Sequence, residues 1–419
     1  MTKQMKSSTG IEQIPEGYKL EYGYVIPKEW KIVRFDKCFH RLTQKNAENN
    51  QNVLTISAQQ GLISQLDYYN TLYASEDKTG YFLLQKGDFA YNKSYSTDYA
   101  YGAIKQLEKY EKGIVSPLYI CFSANQDTNT DFYRQYFEAG RFNREIYKIA
   151  QEGARNHGLL NVSTPEFFSA ALVYPPVAEQ KKIAEILAQC DKVIELKQQR
   201  LEAEVERKKW LMNQLLHHPE KYRVPGFYGN WENATIGSIT SSFSGGTPTS
   251  SNSCYYSHQG IPFIRSGEIG ESKTELYLSD QGFANSAAKM VKKGDLLYAL
   301  YGANSGECFI SKIDGAINQA ILCIRSETID IRFLYYVLAS MKEWIVATYL
   351  QGGQGNLSGA IIKKLKISYP QKDEQQAIVK IIYSQDIVID KLREELKKLE
   401  ERKKAVMQLL LAGIVRVSI

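Results

Sequence analysis

Two short motifs in the sequence have the form of a metal-dependent nuclease site. Glu179-Gln180-Lys181 and Glu271-Ser272-Lys273 are both Glu-x-Lys strings. In such a string the carboxylate can bind a divalent cation and the ammonium group can stabilise negative charge that develops on phosphate. Three-residue matches arise easily by chance, the first string begins a helical segment, and the second lacks a preceding Pro-Asp. A nuclease that uses Glu271 and Lys273 is kept as one alternative function.

Longer catalytic motifs are missing from the sequence. It contains no G-x-x-x-x-G-K-[ST] phosphate loop, and its five His form no H-E-x-x-H pattern. Gly353-Gln354-Gly355 continues without a third Gly, and Val173-Tyr174-Pro175-Pro176 lacks the Asn or Asp of an amino-methyltransferase motif. The six Cys include no C-x-x-C pair. We therefore expect no catalysis, no metal and no cofactor of its own.

Polar loops rich in tyrosine favour a binding function instead. The chain has 29 Tyr in 419 residues, and several lie beside Asn, Lys and Ser, as in residues 91–96 and 298–304. Such side chains suit a surface that contacts phosphates and base edges, although a Tyr can also cap a sheet with its hydroxyl in water. The candidate DNA contacts are Lys93, Ser94, Tyr95, Arg155, Asn156, Thr247, Arg265, Ser266, Tyr301, Asn304 and Gln354.

An internal repeat organises the elements that must position these residues. Residues 178–216 align without a gap with residues 373–411, and 15 of the 39 positions are identical. Lys86-Gly87-Asp88 before Tyr91 also parallels Lys293-Gly294-Asp295 before Tyr298, at a different offset. The sequence therefore predicts two half-proteins in tandem, with variable globular parts followed by matching segments.

The matching segments are predicted to be long helices. Neither contains an internal Gly or Pro, and Pro175-Pro176 and Pro370 precede them in extended conformation. Apolar residues follow a heptad seam that a single helix cannot bury, so the best partner of each helix is the other copy. We expect the two helices to pair antiparallel, although a scaffold coiled coil without DNA function is a second alternative. The seam of the second copy is Ile378, Ile382, Gln385, Ile389, Leu392, Leu396, Leu399, Lys403, Val406 and Leu410.

The fold class that follows is mixed α/β, with two globular domains in pseudo-two-fold tandem repeat. Each globular part mixes short strands with single helices, such as the predicted helices 132–150 and 332–349. The expected boundaries are residues 1–175 for the first globular domain, 176–216 for the first helix, 217–370 for the second domain, 371–411 for the second helix and 412–419 for a tail.

Charge and hydropathy limit which partners the chain can bind and in which cellular compartment we expect it. The net charge is +6, and none of these segments exceeds +2, so no part of the chain can hold DNA by charge alone. Lys342 and Glu343 interrupt the apolar residues 333–350, which predicts a core helix rather than a membrane span. Residues 1–10 are polar, which predicts a cytoplasmic protein.

With these features together, the sequence resembles the specificity subunits of type I restriction-modification enzymes over nearly its whole length. The resemblance lies in Tyr174-Pro175-Pro176 leading to Glu179-Gln180-Lys181-Lys182-Ile183, and in the Leu-rich helix ends 212–216 and 407–411. In the second half it includes Gly245-Gly246-Thr247-Pro248, Tyr255-Tyr256, residues 260–269 and Ile317-Asn318-Gln319-Ala320. The first half lacks the Gly-Gly-Thr-Pro string, which fits two domains that read different half-sites.

The resemblance implies a division of labour. Each globular part would be a target recognition domain that reads one half of a split double-stranded DNA sequence, and the paired helices would set the spacer between the halves. The subunit would have no catalytic activity and would dock two adenine methyltransferase subunits. Two ATP-dependent restriction and translocase subunits would join them for restriction, and no membrane partner is implied.

Overall fold

The computed structural model describes residues 14–57, 60–71, 76–94, 99–150, 160–350 and 356–418. Internal contacts divide the chain into two units, Met1–Leu196 with Leu396–Ile419 and Lys197–Glu395. Each unit is described by itself, with helices and strands labelled in chain order. Within the described ranges, no helix is both long and apolar enough to cross a membrane.

The first unit is built from short strands and short helices, followed by the first long helix. Its strands are β1 (Tyr18–Glu21), β2 (Tyr24–Pro27), β3 (Lys31–Arg34), β4 (Phe39–Arg41), β5 (Leu54–Ser57), β6 (Gly61–Ser64), β7 (Phe82–Gln85), β8 (Phe89–Asn92), β9 (Ala103–Gln106), β10 (Lys112–Val115), β11 (Ile120–Ala124) and β12 (Ala171–Tyr174). The helices are α1 (Phe35–Cys38), α2 (Gln65–Tyr69), α3 (Thr130–Glu138), α4 (Asn143–Ile149), α5 (Thr164–Ser169) and the long helix α6 (Val177–His217).

An antiparallel sheet in the order β4-β11-β8-β9 is the centre of the first unit. Its inner face packs on an aromatic core in which Phe35, Phe89 and Phe122 are fully buried, and the rings of Phe89 and Phe122 stack with centroids 5.3 Å apart. Such ring pairs add to the free energy gained by apolar burial. The core therefore fixes β8 and β11, whose ends carry the loops of interest.

The prediction of one helix from residue 132 to residue 150 is wrong. The segment forms α3 and α4, separated by a turn at Gly140, whose φ is 67°. The Gly140 N–H donates to the Phe137 carbonyl at 3.0 Å, and the Arg141 N–H donates to the Tyr136 carbonyl at 3.1 Å. These two bonds and the left-handed conformation of Gly140 end α3. Glycine suits this position because a residue with a side chain rarely adopts a left-handed conformation.

The second unit repeats the plan with different strands. Its strands are β13 (Glu232–Thr235), β14 (Ser241–Ser244), β15 (Tyr256–Ser257), β16 (Ile261–Ile264), β17 (Tyr277–Leu278), β18 (Lys289–Val291), β19 (Leu296–Ala299), β20 (Cys308–Ile310), β21 (Gly315–Ile317), β22 (Ile321–Arg325) and β23 (Lys366–Tyr369). The helices are α7 (Ile236–Ile239), α8 (Asp280–Ala284), α9 (Ile331–Tyr349), α10 (Gly359–Lys364) and the long helix α11 (Lys372–Leu411), with a 3-10 turn at Ser253–Tyr255.

The second unit contains two larger sheets beside the antiparallel pair of β13 and β23. One is antiparallel in the order β14-β22-β19-β20, and the other has the order β15-β17-β16-β21-β18 with β16 and β21 parallel. Helix α9 confirms the predicted core helix, since Phe333, Leu334 and Leu338 are fully buried. The mixed α/β class is therefore confirmed in both units.

The Lys-Gly-Asp strings mark equivalent positions in the two units. Asp88 accepts a hydrogen bond from the Gln85 N–H at 2.7 Å, and Asp295 accepts one from the Lys292 N–H at 2.7 Å. Both turns lead into a central strand, β8 in the first unit and β19 in the second. These two strands are therefore counterparts, as are β11 and β22, which pair with them.

The two long helices pair antiparallel within each unit. In the first unit Asp191 of α6 forms an ion pair with Lys403 of α11. In the second unit Lys197 pairs with Glu395 at 2.8 Å and Lys208 pairs with Asp386 at 2.5 Å, so partner numbers fall along α11 as they rise along α6. This pairing confirms the predicted antiparallel coiled coil.

Candidate nucleic-acid interface

The loops that carry most second-half candidates leave one edge of the second unit. Strands β16 and β21 run parallel with Ile264 opposite Ile317, so the chain leaves both strands at the same end. The Leu300 N–H, just after β19, donates to the Ala320 carbonyl at 2.8 Å, which brings the β19 loop to the same place. We call residues 245–248, 265–268, 300–306 and 318–320 the polar edge of the second unit.

The Gly-Gly-Thr-Pro string lies against this edge because its glycines permit very close contact. A Cβ on Gly245 would lie 1.8 Å from the Ile317 carbonyl oxygen, and one on Gly246 would lie 2.6 Å from the Ala287 Cβ. The Gly245 N–H donates to the Asn318 carbonyl at 3.2 Å. The loop therefore packs directly on the end of β21. Only glycine allows its backbone to lie this close to the β21 backbone.

Thr247, Ser266 and Asn304 lie on the polar edge and contact other residues of it. The Thr247 hydroxyl donates to Oε1 of Gln319 at 2.8 Å. Nδ2 of Asn304 donates to the Ser266 carbonyl at 3.3 Å. Tyr301, the next candidate, packs partly buried against the main apolar core of the unit. The structure thus brings these candidates to one edge, although their contact with DNA stays a prediction.

Arg265 is held by two carboxylates rather than presented freely. Its Nε and Nη2 donate to Glu268 at 3.1 and 3.0 Å, and Nη2 also donates to Glu275 at 2.6 Å. Burial acts to raise the pKa of Glu268, but the Arg265 guanidinium, backbone N–H groups and the Thr274 hydroxyl lower it to about 2. The guanidinium fork is therefore already occupied, which leaves Arg265 a weaker candidate for bidentate base contact.

The first unit has a corresponding edge at the end of β8. The Lys93 carbonyl accepts from the Leu160 N–H at 2.9 Å, and the Ser94 N–H donates to Oδ1 of Asn92 at 3.0 Å. In the second unit the Leu300 carbonyl accepts from the Leu357 N–H at 2.8 Å, a similar contact made two residues further along the corresponding segment. The shallow cavity at the first edge, about 320 Å³, is lined by Asn92, Lys93, Ser94, Leu118, Tyr119, Leu160 and Asn161.

The remaining candidates cannot be placed. Tyr95, Arg155, Asn156 and Gln354 lie outside the described residues. Their role in DNA binding stays a prediction from the sequence.

Two tyrosines of the polar strings are not surface residues. Tyr91 lies in β8 and Tyr298 in β19, and both are fully buried. Burial raises the pKa of each phenol, and the Tyr91 hydroxyl donates to the Tyr101 carbonyl at 2.9 Å. The expectation that these two residues belong to exposed loops is wrong, because each follows a turn directly into a central strand.

The first Glu-x-Lys string has a structural role. The side chain of Glu179 is 1% exposed and accepts from Trp30 Nε1 at 2.8 Å and from Arg416 Nε at 2.8 Å. Glu271 of the second string lies exposed in a turn, where its N–H donates to the Glu268 carbonyl at 3.0 Å. Within the described residues, no group of three or more His, Cys, Asp or Glu side chains could hold a metal ion.

Sequence reasoning missed two exposed residues at these edges. Gln319 accepts the Thr247 hydrogen bond at the second edge, and Leu118 is 65% exposed beside the cavity of the first. The string Ile317-Asn318-Gln319-Ala320 was noted for the family resemblance, but nothing in it separates the exposed Gln319 from the buried Ile317. An exposed Leu in a short polar turn was the available signal for Leu118.

The chain has two related α/β domains on one pair of long helices. Their equivalent loop edges carry different side chains, which is the arrangement of a recognition protein with two binding domains. The family model described as type I restriction modification DNA specificity domain matches this chain twice, at residues 27–207 and 228–401. The chain belongs to this family, and the double match confirms the tandem repeat.

Named relatives agree with this assignment, and solved structures share the fold. The chain is 29% identical over 309 residues to the putative type I restriction enzyme MjaX specificity subunit of Methanocaldococcus jannaschii, over 70% of each chain. It is 23% identical over 425 residues, 96% of each chain, to the type I restriction enzyme MjaVIII specificity subunit of the same organism. A solved chain of a type I restriction-modification system shares the fold with a TM-score of 0.61 at 15% identity, over 94% of this chain and 100% of that one. The S subunit from M. genitalium shares it with a TM-score of 0.54 at 13% identity, over 96% and 98%.

Proposed function

We propose that this chain is the DNA sequence-recognition subunit of a type I restriction-modification complex, in which each globular domain reads one half of a bipartite double-stranded target. The observation that carries the proposal is the pair of equivalent loop edges with different side chains. At the first edge Lys93, Ser94 and Leu118 line one cavity, whereas the second edge carries the Thr247–Gln319 and Asn304–Ser266 hydrogen bonds. Domains that read different base sequences need such differences on a common framework.

The remaining parts of the proposal follow the tandem repeat. Residues 1–175 and 217–370 would be the two target recognition domains. The helices 176–216 and 371–411 would set the unread spacer and dock two adenine methyltransferase subunits, with the tail 412–419 after them. Two ATP-dependent restriction subunits would join for cleavage. The chain itself would carry out no catalysis, bind no cofactor and act in the cytoplasm.

The modest charge supports a subunit that shares DNA binding with its partners. Affinity of a protein for DNA comes largely from neutralised phosphates, whereas base contacts supply the sequence preference. The net charge of +6 is spread over 419 residues, so the sequence has polar side chains for base contact but no dense run of basic residues. We therefore expect much of the phosphate contact to come from the methyltransferase subunits.

Methylome sequencing tests the proposal directly. Cells with the complete system should show one bipartite adenine-methylated motif, and deletion of the gene for this chain should remove it. An unchanged methylome after deletion would contradict the proposal. The purified chain provides the second arm, since magnesium-dependent DNA cleavage by the chain alone, lost in Glu271→Ala, would favour the nuclease alternative. Absence of any sequence preference when the chain is mixed with its methyltransferase would favour the scaffold alternative.

A further inference from the structure

The same four-residue turn leads into β11 in the first unit and into β22 in the second. These are the strands that pair with β8 and β19. In the second unit the Ile321 N–H donates to the Asn318 carbonyl at 3.4 Å, and the Ala320 N–H donates to Oδ1 of Asn318 at 3.0 Å. In the first unit Tyr119 and Leu118 donate to the carbonyl and Oγ of Ser116 at 3.1 and 3.3 Å. We call residues 318–321 and 116–119 the reading turns, because both lie on the loop edges described above.

The two reading turns present different chemistry on this common backbone. The exposed side chain of the second turn is Gln319, and the neighbouring Ala320 is buried. The first turn exposes Pro117 and Leu118 instead. The two turns therefore share a backbone, but the second exposes an amide where the first exposes apolar groups. Such variation is expected at positions that select a base, whereas residues that stabilise the fold should be alike in both units.

Gln319 is oriented by one hydrogen bond from a neighbouring loop. Its Oε1 accepts from the Thr247 hydroxyl at 2.8 Å. Thr247 is itself fixed, because Gly245 packs on β21 and the Pro248 carbonyl accepts from the Tyr256 hydroxyl at 2.8 Å. Ordering an exposed glutamine costs side-chain entropy comparable to what one exposed hydrogen bond returns. The contact therefore orients the amide more than it stabilises the domain.

The oriented amide matches the major-groove edge of adenine. Among the described contacts, Thr247 uses one lone pair of Oε1 and leaves the second lone pair and both Nε2–H donors of Gln319 for a ligand. Adenine offers N7 as acceptor and the N6 amino group as donor, which a glutamine amide can contact together. Guanine offers two acceptors and is better matched by an arginine fork, yet Arg265 on this edge is occupied by Glu268 and Glu275.

We propose that Gln319, oriented by Thr247, is a specificity-determining residue that contacts an adenine in the half-site read by the second unit. The inference rests on the proposed function and adds to it a residue and a base. Thr247 is a positioning residue in this arrangement, because its effect passes through the glutamine amide.

Methylomes of four variants of the full complex test the residue assignment. Gln319→Ala should keep the motif's first half and spacer but relax one A·T position of the second half. Thr247→Val should relax the same position, whereas Thr247→Ser should retain it because the hydroxyl remains. Lys293→Ala is the matched control in the same unit, since Lys293 is exposed in the turn before β19, at the other end of that strand. Its motif should equal that of the natural chain.

Binding to modified duplexes tests the base. The natural complex is titrated with duplexes in which 7-deazaadenine replaces each unmethylated adenine of the second half-site in turn, which removes one N7 acceptor. At one position the natural complex should lose roughly 2- to 13-fold in affinity, the net contribution of one hydrogen bond. The Gln319→Ala complex should be insensitive at that position.

The outcomes separate this inference from the function on which it rests. A motif that persists unchanged in Gln319→Ala, or relaxation at a G·C position, would overturn the adenine contact while the specificity subunit assignment stands. Equal loss in the natural and Gln319→Ala complexes at every 7-deazaadenine position would overturn it as well. If deletion of the chain left the methylome intact, the proposed function itself would fail. Relaxation of the second half-site in Lys293→Ala, with the first half and the spacer kept, would place the reading surface at the other end of β19 and overturn the inference.

Discussion

At the scale of single residues, the buried carboxylates show what the first Glu-x-Lys string does. Glu179 and its repeat counterpart Glu374 are both buried, and each accepts hydrogen bonds from one arginine. Arg416 supplies the bonds to Glu179, and Arg223 supplies those to Glu374 at 2.8 and 2.7 Å. A glutamate that resembles a nuclease ligand in sequence is therefore a structural anion at the start of a long helix.

Arg416→Ala should destabilise the first unit. The substitution leaves Glu179 buried with Trp30 as its remaining partner among the described contacts. Removing one member of a fully buried ion pair costs about 3–5 kcal/mol, and because the Arg416 side chain is 39% exposed we expect roughly 2–4 kcal/mol. Thermal unfolding followed by tryptophan fluorescence should show a midpoint lower by roughly 5–12 °C. Arg393→Ala is the control, because Arg393 and Asp390 form an exposed pair and its loss should change stability by less than about 0.5 kcal/mol. Equal midpoints for the two variants would contradict the structural role of Glu179.

The Arg265–Glu268 pair predicts a pH dependence of stability. Because the folded pKa of Glu268 is lowered to about 2, its contribution is present above the ordinary carboxyl range near pH 4.5 and is lost as the pH falls towards 2. Arg265→Ala should lower the unfolding free energy by about 1–2 kcal/mol at pH 7 and flatten its decline below pH 4.5. The measurement is denaturant unfolding from pH 7 to pH 3. Glu275→Ala keeps the inner pair and should keep the steep decline, so a shallow decline in that variant would refute the assignment.

At the scale of elements, the polar residues of the heptad seam are paired across it. Gln385 donates to Glu204 at 2.6 Å, and Lys197 and Lys208 pair with carboxylates of α11. Such pairs fix register and direction in a coiled coil, although they add less stability than apolar residues. The polar residues Lys197, Glu204 and Lys208 of α6 therefore specify which stretch of α11 lies opposite.

Asp386 ties this seam to the globular part of its unit, so its loss should be costly. It accepts from the Tyr336 hydroxyl of α9 at 2.6 Å and pairs with Lys208 at 2.5 Å. Asp386→Ala removes this partner from the buried Tyr336 and the partly buried Lys208, and we expect a loss of about 1–3 kcal/mol in thermal or denaturant unfolding. Asp390→Ala, one helical turn further along α11 and exposed, should have almost no effect. A similar small effect for both variants would show that the tie does not contribute.

Asp191 has the same place in the first unit. It accepts from Gln135 of α3 at 2.7 Å and pairs with Lys403 of α11. Each globular part is thus joined to both long helices through one aspartate of the repeat. The repeat preserves the aspartate and the lysine, whereas the third partner changes from an amide to a phenol.

At the scale of the whole molecule, the two units share a framework and differ in what they expose. The counterpart strands β8 and β19 begin with the same turn and carry loops of different sequence. This arrangement suits a protein whose two halves change specificity independently.

Replacing residues 217–370 by the corresponding part of a relative should change only one half of the methylated motif. The first half and the spacer should persist, because residues 1–175 and the two long helices are retained. Methylome sequencing of cells with the exchanged chain measures both halves at once, and the reciprocal exchange of residues 1–175 is the matched control. Simultaneous change of both halves in either exchange would contradict independent reading by the two domains.

The sequence by itself determined the repeat, the two long helices, their antiparallel pairing, the mixed α/β class and the family. These features depend on periodicity and on strings of neighbouring residues, such as the heptad seam and the aligned segments 178–216 and 373–411. Local patterns did less well where a single left-handed residue intervenes, as at Gly140, or where a polar string leads directly into a buried strand, as at Tyr91.

Only the tertiary structure decided which polar residues are free and which are engaged. Glu179 meets Arg416 across 237 residues of chain, and Thr247 meets Gln319 across 72. Residue type and spacing cannot show such contacts, since they depend on how strands and loops from distant parts of the chain come together. The fold therefore turned one apparent catalytic glutamate into a structural anion, and it marked a glutamine of no special sequence signal as the residue that we propose reads DNA.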